Sequence, residues 1–206
     1  TGTWLAPAAL EAFIAAVPED TLVVLDEAYN EYLPPERHAP SAAWVARYPN
    51  LIVSRTFSKA YGLAALRIGY GIMHAKVADM LNRVRQPFNV NALAQAAAIA
   101  ALADTEYVAE SRRLNREGVR QLHAGLQKLG VAVLPTHGNF VLIQVGDAAR
   151  VNEALLRQGV IVRPVANRSD PHRHDHVGVV VALGANRPHH RLTDLVLQLQ
   201  CDTIGL

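Results

Sequence analysis

The chain has 206 residues, of which 50% are hydrophobic, 18% charged and 6% aromatic. This composition is typical of a soluble globular protein and excludes a disordered chain, and no apolar run is long enough to span a bilayer. The net charge of +2 and the lack of a basic run argue against nucleic acid as a partner. The single cysteine, Cys201, excludes an internal disulfide and indicates a reducing compartment, so we expect a cytoplasmic protein.

The chain opens with Thr1-Gly2-Thr3-Trp4 rather than with methionine. A helix is predicted from Pro7 to about Ala16, because proline is favoured in a first helical turn and one face is apolar. No charged segment precedes an apolar one, so a signal peptide is not expected. The opening indicates either a trimmed N-terminus or a piece of a longer protein that was cut within a loop.

Short apolar runs alternate with helical stretches in the first part of the chain. Thr21 to Leu25 is predicted to be a strand buried on both faces, as in a parallel sheet. Further strands are predicted at Leu51–Val53 and Ile68–Ile72, with helices at Ser41–Arg47 and Ala75–Arg85. This alternation predicts an α/β architecture.

The pattern changes after two further predicted helices, Asn89–Ala103 and Thr105–Leu129. The longer helix has a charged stripe that is interpreted as its solvated face and comprises Glu106, Glu110, Arg112, Arg113, Arg116 and Arg120. The remaining sequence indicates a smaller α+β unit, with strands at Val131–Leu134, Phe140–Val145 and Val160–Val162 and a helix at Ala148–Gln158.

Three polar clusters lie beside the predicted strand ends, where parallel-sheet proteins bind ligands. They are Asp26 with Tyr29, then Thr56 with Ser58 and Lys59, and then Arg67. Two hydroxyls and a planar guanidinium suit a phosphate, and a partly desolvated lysine near an arginine suits an amine nucleophile. A strand-end aspartate suits a protonated ring nitrogen. Together these groups are what a pyridoxal phosphate site needs.

Each residue also has an ordinary explanation when it is taken alone. An aspartate at a strand end is usually a turn or a helix cap, a lone lysine is usually solvated, and a Ser/Thr pair before a helix is usually an N-cap. The joint arrangement is what favours the cofactor site. Only three of the 20 basic residues are lysines, which are Lys59, Lys76 and Lys128.

Two stretches resemble the fold-type I pyridoxal-phosphate aminotransferases. They are Val24–Tyr29 (VLDEAY) and Ser54–Tyr70 (SRTFSKAYGLAALRIGY), and among these enzymes they are most similar to the histidinol-phosphate aminotransferases of histidine biosynthesis. Asn139–Val141 and Gly159–Pro164 are similar to the small-domain signatures of that family. The resemblance covers about residues 1–166 and implies part of the large domain, with a mainly parallel sheet and helices, and a small α+β C-terminal domain.

The resemblance implies a role for each matching residue. Lys59 would form the internal aldimine and move the proton between the substrate α-carbon and the cofactor, and Asp26 would keep the pyridine nitrogen protonated. Tyr29 would hydrogen-bond the 3′-oxygen of the cofactor. The residues expected to hold the cofactor phosphate are Thr56, Ser58 and Arg67, and Arg163 is expected to face the anionic end of the substrate.

The implied reaction transfers an amino group between histidinol phosphate and 2-oxoglutarate, giving imidazole acetol phosphate and glutamate, in a homodimeric enzyme without nucleic-acid or membrane partners. The implied domains are a partial large domain (1–88), connecting helices (89–130) and a small domain (131–206). A related pyridoxal-phosphate enzyme, acting on aromatic or phosphorylated amino acids, is an alternative. Another is a non-catalytic fragment or remnant, because the family's N-terminal portion is expected to be absent.

The resemblance fades after Ala166. The family continues to a strand whose arginine binds the substrate anion, and Val180 falls at that position. His172, His174 and His176 alternate in this tail, but a solvated loop is favoured over a metal site because no carboxylate or cysteine arrangement completes one. We interpret residues 166–206 as an atypical tail, which a shifted reading frame would explain.

Overall fold

The computed structural model describes residues 2–165 and the backbone of 178–182. The chain divides into two compact units. The first unit spans Leu5–Arg112, and the second combines the first four residues with the chain that follows Arg112. The expectations for the rest of the tail, including its three alternating histidines, fall outside the described residues.

The first unit contains a three-stranded sheet in the order β1-β2-β3. Its strands are β1 (Val23–Asp26), β2 (Leu51–Thr56) and β3 (Gly69–Met73). Strands β1 and β2 pair in parallel, as expected, and Asp26 lies opposite Ser54. Strand β3 runs antiparallel to β2 and places Gly69 opposite Thr56. The described sheet is therefore mixed, and the beginning of β3 lies beside the end of β2.

Two helices cover one face of this sheet. They are α1 (Pro7–Ala16), which has proline in its first turn, and the short α2 (Ser41–Trp44). Their apolar side chains pack with the inward-facing residues of the sheet in a core formed by Ile14, Trp44, Val45, Leu51 and Val53. The expectation that β1 is buried on both faces is wrong, because Val24 is 63% exposed. Both helices pack on the face that carries Val23 and Leu25, and successive strand residues alternate between faces.

Three further helices follow, and each is close to its predicted range. They are α3 (Ala75–Val84), α4 (Ala92–Ala103) and α5 (Thr105–Lys128). The side chain of Asn91 caps α4 by accepting a hydrogen bond from the Ala94 amide at 2.8 Å. The charged stripe of α5 is exposed except at Arg112, whose Nε donates to the carbonyl oxygen of Glu31 at 2.9 Å. No helix in the described part of the chain is both long and apolar enough to cross a membrane.

The second unit contains a four-stranded antiparallel sheet in the order β4-β5-β7-β6. It consists of β4 (Ala132–Val133), β5 (Phe140–Gln144), β6 (Arg163–Val165) and β7 (Gly178–Ala182), with helix α6 (Ala148–Arg157) between β5 and β6. The C-terminal part of α5 and helix α6 pack on this sheet through a core formed by Leu122, Leu126, Val141, Ile143 and Ala148.

The strand predicted at Val160–Val162 is wrong in position, because the observed strand is β6. Gly159 has φ +79°, and the Val160 amide donates back to the carbonyl oxygen of Leu155 at 2.9 Å, so this segment completes the end of α6. The ladder with β7 begins only at Arg163, which pairs with Val180. Pro164 is tolerated in β6 because β6 is an edge strand of the described sheet.

Candidate active site

Asp26 and Thr56 end two neighbouring parallel strands of the first unit. Because their strands are parallel, both residues lie at the same edge of the sheet. Asp26 is exposed on the face opposite the helices, and its Oδ1 accepts from the Ala28 amide at 3.0 Å and from Ser54 Oγ at 3.4 Å. An exposed carboxylate with these two weak constraints is available to a cation or to a protonated ring nitrogen.

The antiparallel direction of β3 brings Arg67 to this same edge. Arg67 lies two residues before β3, whose first residue is opposite Thr56. Its Nη1 donates to the Ala64 carbonyl oxygen at 2.9 Å and lies 3.5 Å from Ser58 Oγ. Arg67 also has φ +52°, a left-handed conformation that favours glycine. Non-glycine residues in this conformation are enriched at functional sites, which supports a binding role for Arg67.

Two hydroxyls, those of Thr56 and Ser58, lie at the same edge of the sheet as Arg67. Thr56 Oγ1 accepts a hydrogen bond from the Ser58 amide at 3.0 Å, which leaves the hydroxyl hydrogen of Thr56 to donate elsewhere. Ser58 and Thr56 are half-buried, whereas Arg67 is exposed. One guanidinium and two hydroxyl donors at this sheet edge form a donor set that matches a phosphate group.

Lys59 lies on the turn that links these groups. Its Nζ is 5.3 Å from the centroid of the Tyr29 ring, and both side chains are half-buried. A cation at this distance is attracted by the ring's electrons, so the contact restrains the flexible lysine side chain. The turn itself is anchored by Phe57, whose ring packs against Tyr61 with centroids 5.0 Å apart.

Two glycines of β3 lie on the face of the sheet that carries Asp26. Gly69 and Gly71 lie opposite Thr56 and Ser54, and directly opposed residues of an antiparallel pair share a face. A Cβ atom at Gly69 would approach the Arg55 carbonyl oxygen to 2.7 Å. The sheet surface therefore carries no side chain at Gly69, whereas at Gly71 the side chain of Met73 lies where a Cβ would be, with its Cε 2.6 Å away.

A buried polar cluster lies on the opposite face, and the sequence interpretation missed it. Arg55 donates to Glu27 Oε2 from Nε at 2.9 Å and from Nη2 at 2.7 Å, and Ser41 Oγ donates to Oε1 at 2.5 Å. Burial acts to lower the pKa of Arg55, but its hydrogen bond and ion pair with Glu27, together with Tyr70, outweigh this effect and raise the pKa. The sequence does contain a signal for this cluster, because the acidic Glu27 follows Asp26 and the basic Arg55 precedes Thr56.

The structure brings six of the predicted site residues to one edge of the sheet in the first unit. Arg163 is exposed in β6, which belongs to the second unit. Within the described residues, no group of three or more histidine, cysteine or acidic side chains is arranged to hold a metal ion.

Comparison with known protein families identifies the family to which the chain belongs. Residues 1–170 match the family model described as aminotransferase class I and II. The chain belongs to this aminotransferase family. The family accounts for the α/β fold, which is thereby confirmed.

Named relatives agree with this assignment. Histidinol-phosphate aminotransferase 2 of Ralstonia nicotianae is 61% identical over 175 residues, which are 83% of this chain and 47% of that protein. The histidinol-phosphate aminotransferase of Methylobacillus flagellatus is 53% identical over 185 residues, or 90% of this chain and 50% of that protein. The chain thus spans about half the length of the curated relatives that it matches.

A solved aminotransferase structure has the same fold. The histidinol-phosphate aminotransferase of Sinorhizobium meliloti, crystallised in complex with pyridoxal 5′-phosphate, superposes with a TM-score of 0.80 at 30% identity. The superposition covers 97% of this chain and 55% of that one.

Proposed function

We propose that this chain carries the lysine, carboxylate and phosphate-binding groups of a pyridoxal-phosphate-dependent aminotransferase. The observation that supports this most directly is the convergence of Lys59, Asp26 and Arg67 at one sheet edge, reached from three separate segments. The names of the relatives support histidinol phosphate and 2-oxoglutarate as the substrates. A working enzyme of this kind would be a homodimer, and the single cysteine supports a reducing, cytoplasmic environment.

The donor set fits the cofactor in chemical type. Arg67, Ser58 and Thr56 offer charged and neutral donors to a phosphate, and Gly69, opposite Thr56, leaves the neighbouring sheet surface without a side chain. When bound, pyridoxal phosphate supplies an aldehyde that reacts with amines and a ring that accepts electrons. The three phosphate-binding residues would anchor the phosphate and so fix the ring near the lysine.

The remaining residues would control protons. Asp26 would hold a proton on the ring nitrogen, because a carboxylate at that position favours the protonated form. Lys59 Nζ would accept the proton from the substrate α-carbon and deliver it to the cofactor carbon, for which a restrained amine is suited. Tyr29 would donate a hydrogen bond to the ring's 3′-oxygen. Arg163 would bind the anionic end of the substrate as a guanidinium does for a phosphate.

The test uses the full chain with added pyridoxal 5′-phosphate. We expect visible absorbance of the lysine-bound cofactor, and borohydride reduction should fix the cofactor to the peptide that contains Lys59, as located by mass spectrometry. Lys59→Ala should abolish both signals, whereas Lys76→Ala, on exposed α3, should leave them unchanged. Absorbance that persists in Lys59→Ala would refute the role of this lysine.

Substrate assignment needs a second measurement on the same preparation. Histidinol phosphate should convert the cofactor to its amine form, seen as loss of visible absorbance, faster than an aromatic amino acid does. A wild-type chain that takes up no cofactor would instead favour a non-catalytic remnant, which its coverage of about half of each relative also allows.

A further inference from the structure

An ion pair between the buried Glu27 and the half-buried Arg55 lies on the sheet face opposite the candidate site. Glu27 is 8% exposed, and its carboxylate uses both oxygens, one for Arg55 and one for the fully buried Ser41. We call Glu27 and Arg55 the back pair. Neither member is among the residues proposed to bind the cofactor, so the proposed chemistry does not explain the pair.

Each member of the back pair is adjacent in sequence to a residue of the candidate site. Glu27 follows Asp26, and its amide donates to the Ser54 carbonyl oxygen at 2.9 Å, which extends the parallel ladder by one step. Arg55 precedes Thr56 in β2. Because side chains alternate along strands, the back pair projects from one face while Asp26 and Thr56 project from the other. The pair therefore ties together the two strand ends that carry the site.

The chemistry of the pair suits positioning better than stability. Replacing a buried ion pair with apolar residues is often neutral or stabilising, so its presence is weak evidence for a stabilising role. A charged, hydrogen-bonded pair, however, has a narrow range of allowed geometry. Asp26 is exposed, and the location of its carboxylate depends on where the β1 backbone ends.

We propose that Glu27 and Arg55 are positioning residues. They set the spacing between the Asp26 carboxylate and the Thr56–Ser58 turn, and thereby the affinity of the site for pyridoxal phosphate. This inference rests on the proposed function, but two amides make its geometric part measurable without the cofactor. The Ala28 amide is bonded to Asp26 Oδ1 and the Ser58 amide to Thr56 Oγ1.

The first experiment measures amide hydrogen exchange in the full chain without cofactor. Glu27→Gln should accelerate exchange at Ala28 and Ser58 about tenfold, with little change at the β2 interior residue Val53. The matched control is Glu11→Gln, which breaks the Glu11–Arg47 ion pair of the same unit away from the site. Equal acceleration at Val53 would indicate a merely structural pair and would overturn the proposal.

The second experiment measures the affinity of the same variants for pyridoxal 5′-phosphate. Glu27→Gln should weaken binding at least tenfold and Arg55→Lys, which keeps the charge, by a smaller factor, while Glu11→Gln binds as the wild type does. Arg55→Lys also serves if Glu27→Gln fails to fold, since its Ala28 and Ser58 amides should exchange faster. Unchanged exchange and affinity in these variants contradict the inference. If the wild-type chain binds no cofactor but the variants still show faster exchange at Ala28 and Ser58, the proposed function is contradicted and the positioning role of the back pair is not.

Discussion

The Lys59 ammonium nitrogen lies 5.3 Å from the centroid of the Tyr29 ring. The two residues come from different segments, one after β1 and one after β2, and the parallel pairing of these strands brings them together. The contact with Lys59 involves the Tyr29 ring, whereas the proposed function assigns the Tyr29 hydroxyl to the 3′-oxygen of the cofactor. Substitutions at Tyr29 can therefore separate restraint of the lysine from binding of the cofactor.

Tyr29→Phe should keep the attachment of pyridoxal phosphate to Lys59 but weaken cofactor affinity about 2- to 10-fold, the worth of one neutral hydrogen bond. It should also shift the pH dependence of the visible absorbance, because the 3′-oxygen loses a donor. Tyr29→Leu, which removes the ring as well, should weaken affinity further. Absorbance titrations of the three proteins measure both effects, and identical affinities for Tyr29→Phe and wild type would rule out the hydroxyl's role.

Arg67→Ala should weaken binding of pyridoxal 5′-phosphate about 10- to 100-fold, since a charge-assisted hydrogen bond is worth about 1.5–3 kcal/mol. Binding of pyridoxal, which lacks the phosphate, should not change. Comparing the two ligands by absorbance titration therefore isolates the phosphate contact. If both ligands lose affinity equally, Arg67 has another role.

Comparing Arg67→Gly with Arg67→Ala measures the backbone strain at this position. It should lose the same cofactor affinity as Arg67→Ala, but glycine adopts φ +52° without cost. We expect Arg67→Gly to be more stable than Arg67→Ala by about 1 kcal/mol in urea denaturation. Equal stabilities would mean that the left-handed conformation carries no strain.

Much of this site could be predicted from the sequence, because parallel strands place their carboxyl ends at one edge. Asp26 and Lys59 follow from that rule and from the apolar runs before them. The direction of β3 does not follow, since a short apolar run indicates a strand without indicating which way it pairs. Arg67 precedes β3, whereas Asp26 and Thr56 end β1 and β2. The antiparallel pairing of β3 with β2 explains why Arg67 nevertheless lies at the same edge of the sheet.

The two wrong expectations have a related cause. Apolar residues at Val160–Val162 predict a strand, but pairing with β7 selects Arg163–Val165 instead. The apolar run of β1 predicts burial on both faces, but helices cover one face, and Val24 is 63% exposed. In both cases a neighbouring strand or helix decides which residues pair or become buried, and the apolar run alone does not specify that neighbour.

Glu31 predicts a pH dependence of stability. It is 7% exposed and its Oε2 has no hydrogen-bond partner. Burial raises the pKa of its carboxyl above 4.5, and the charge of Arg55 only partly opposes this effect. The folded chain therefore binds this proton more readily than the unfolded chain, and stability falls as the pH rises through the folded-state pKa.

Glu31→Gln removes this cost and should stabilise the chain at pH 7 by about 1 kcal/mol, the lower end for an unpaired buried polar group. The advantage should disappear below pH 4.5, where Glu31 is protonated in both states. Urea denaturation from pH 4 to 8 measures the difference, with Glu36→Gln, at an exposed position, as the control. A difference independent of pH would contradict the assignment.

Helix α4 exposes large apolar side chains that favour self-association of the chain. Leu93 is 79% and Ile99 73% exposed, whereas the buried residues of this helix are the small Ala94 and Ala98. Exposed apolar surface of this kind usually contacts another polypeptide. We expect the unmodified chain to associate in light scattering, and a monodisperse monomer would contradict this expectation.

The double variant Leu93→Lys and Ile99→Lys should reduce this association and raise solubility several-fold, because it replaces apolar surface with charge while lysine retains high helix propensity. The matched control is Gln95→Lys with Ala96→Lys, two exposed positions of the same helix. It adds the same charge and leaves the apolar side chains in place. If the control reduces association equally, net charge and not the apolar surface of α4 governs the solubility of the chain.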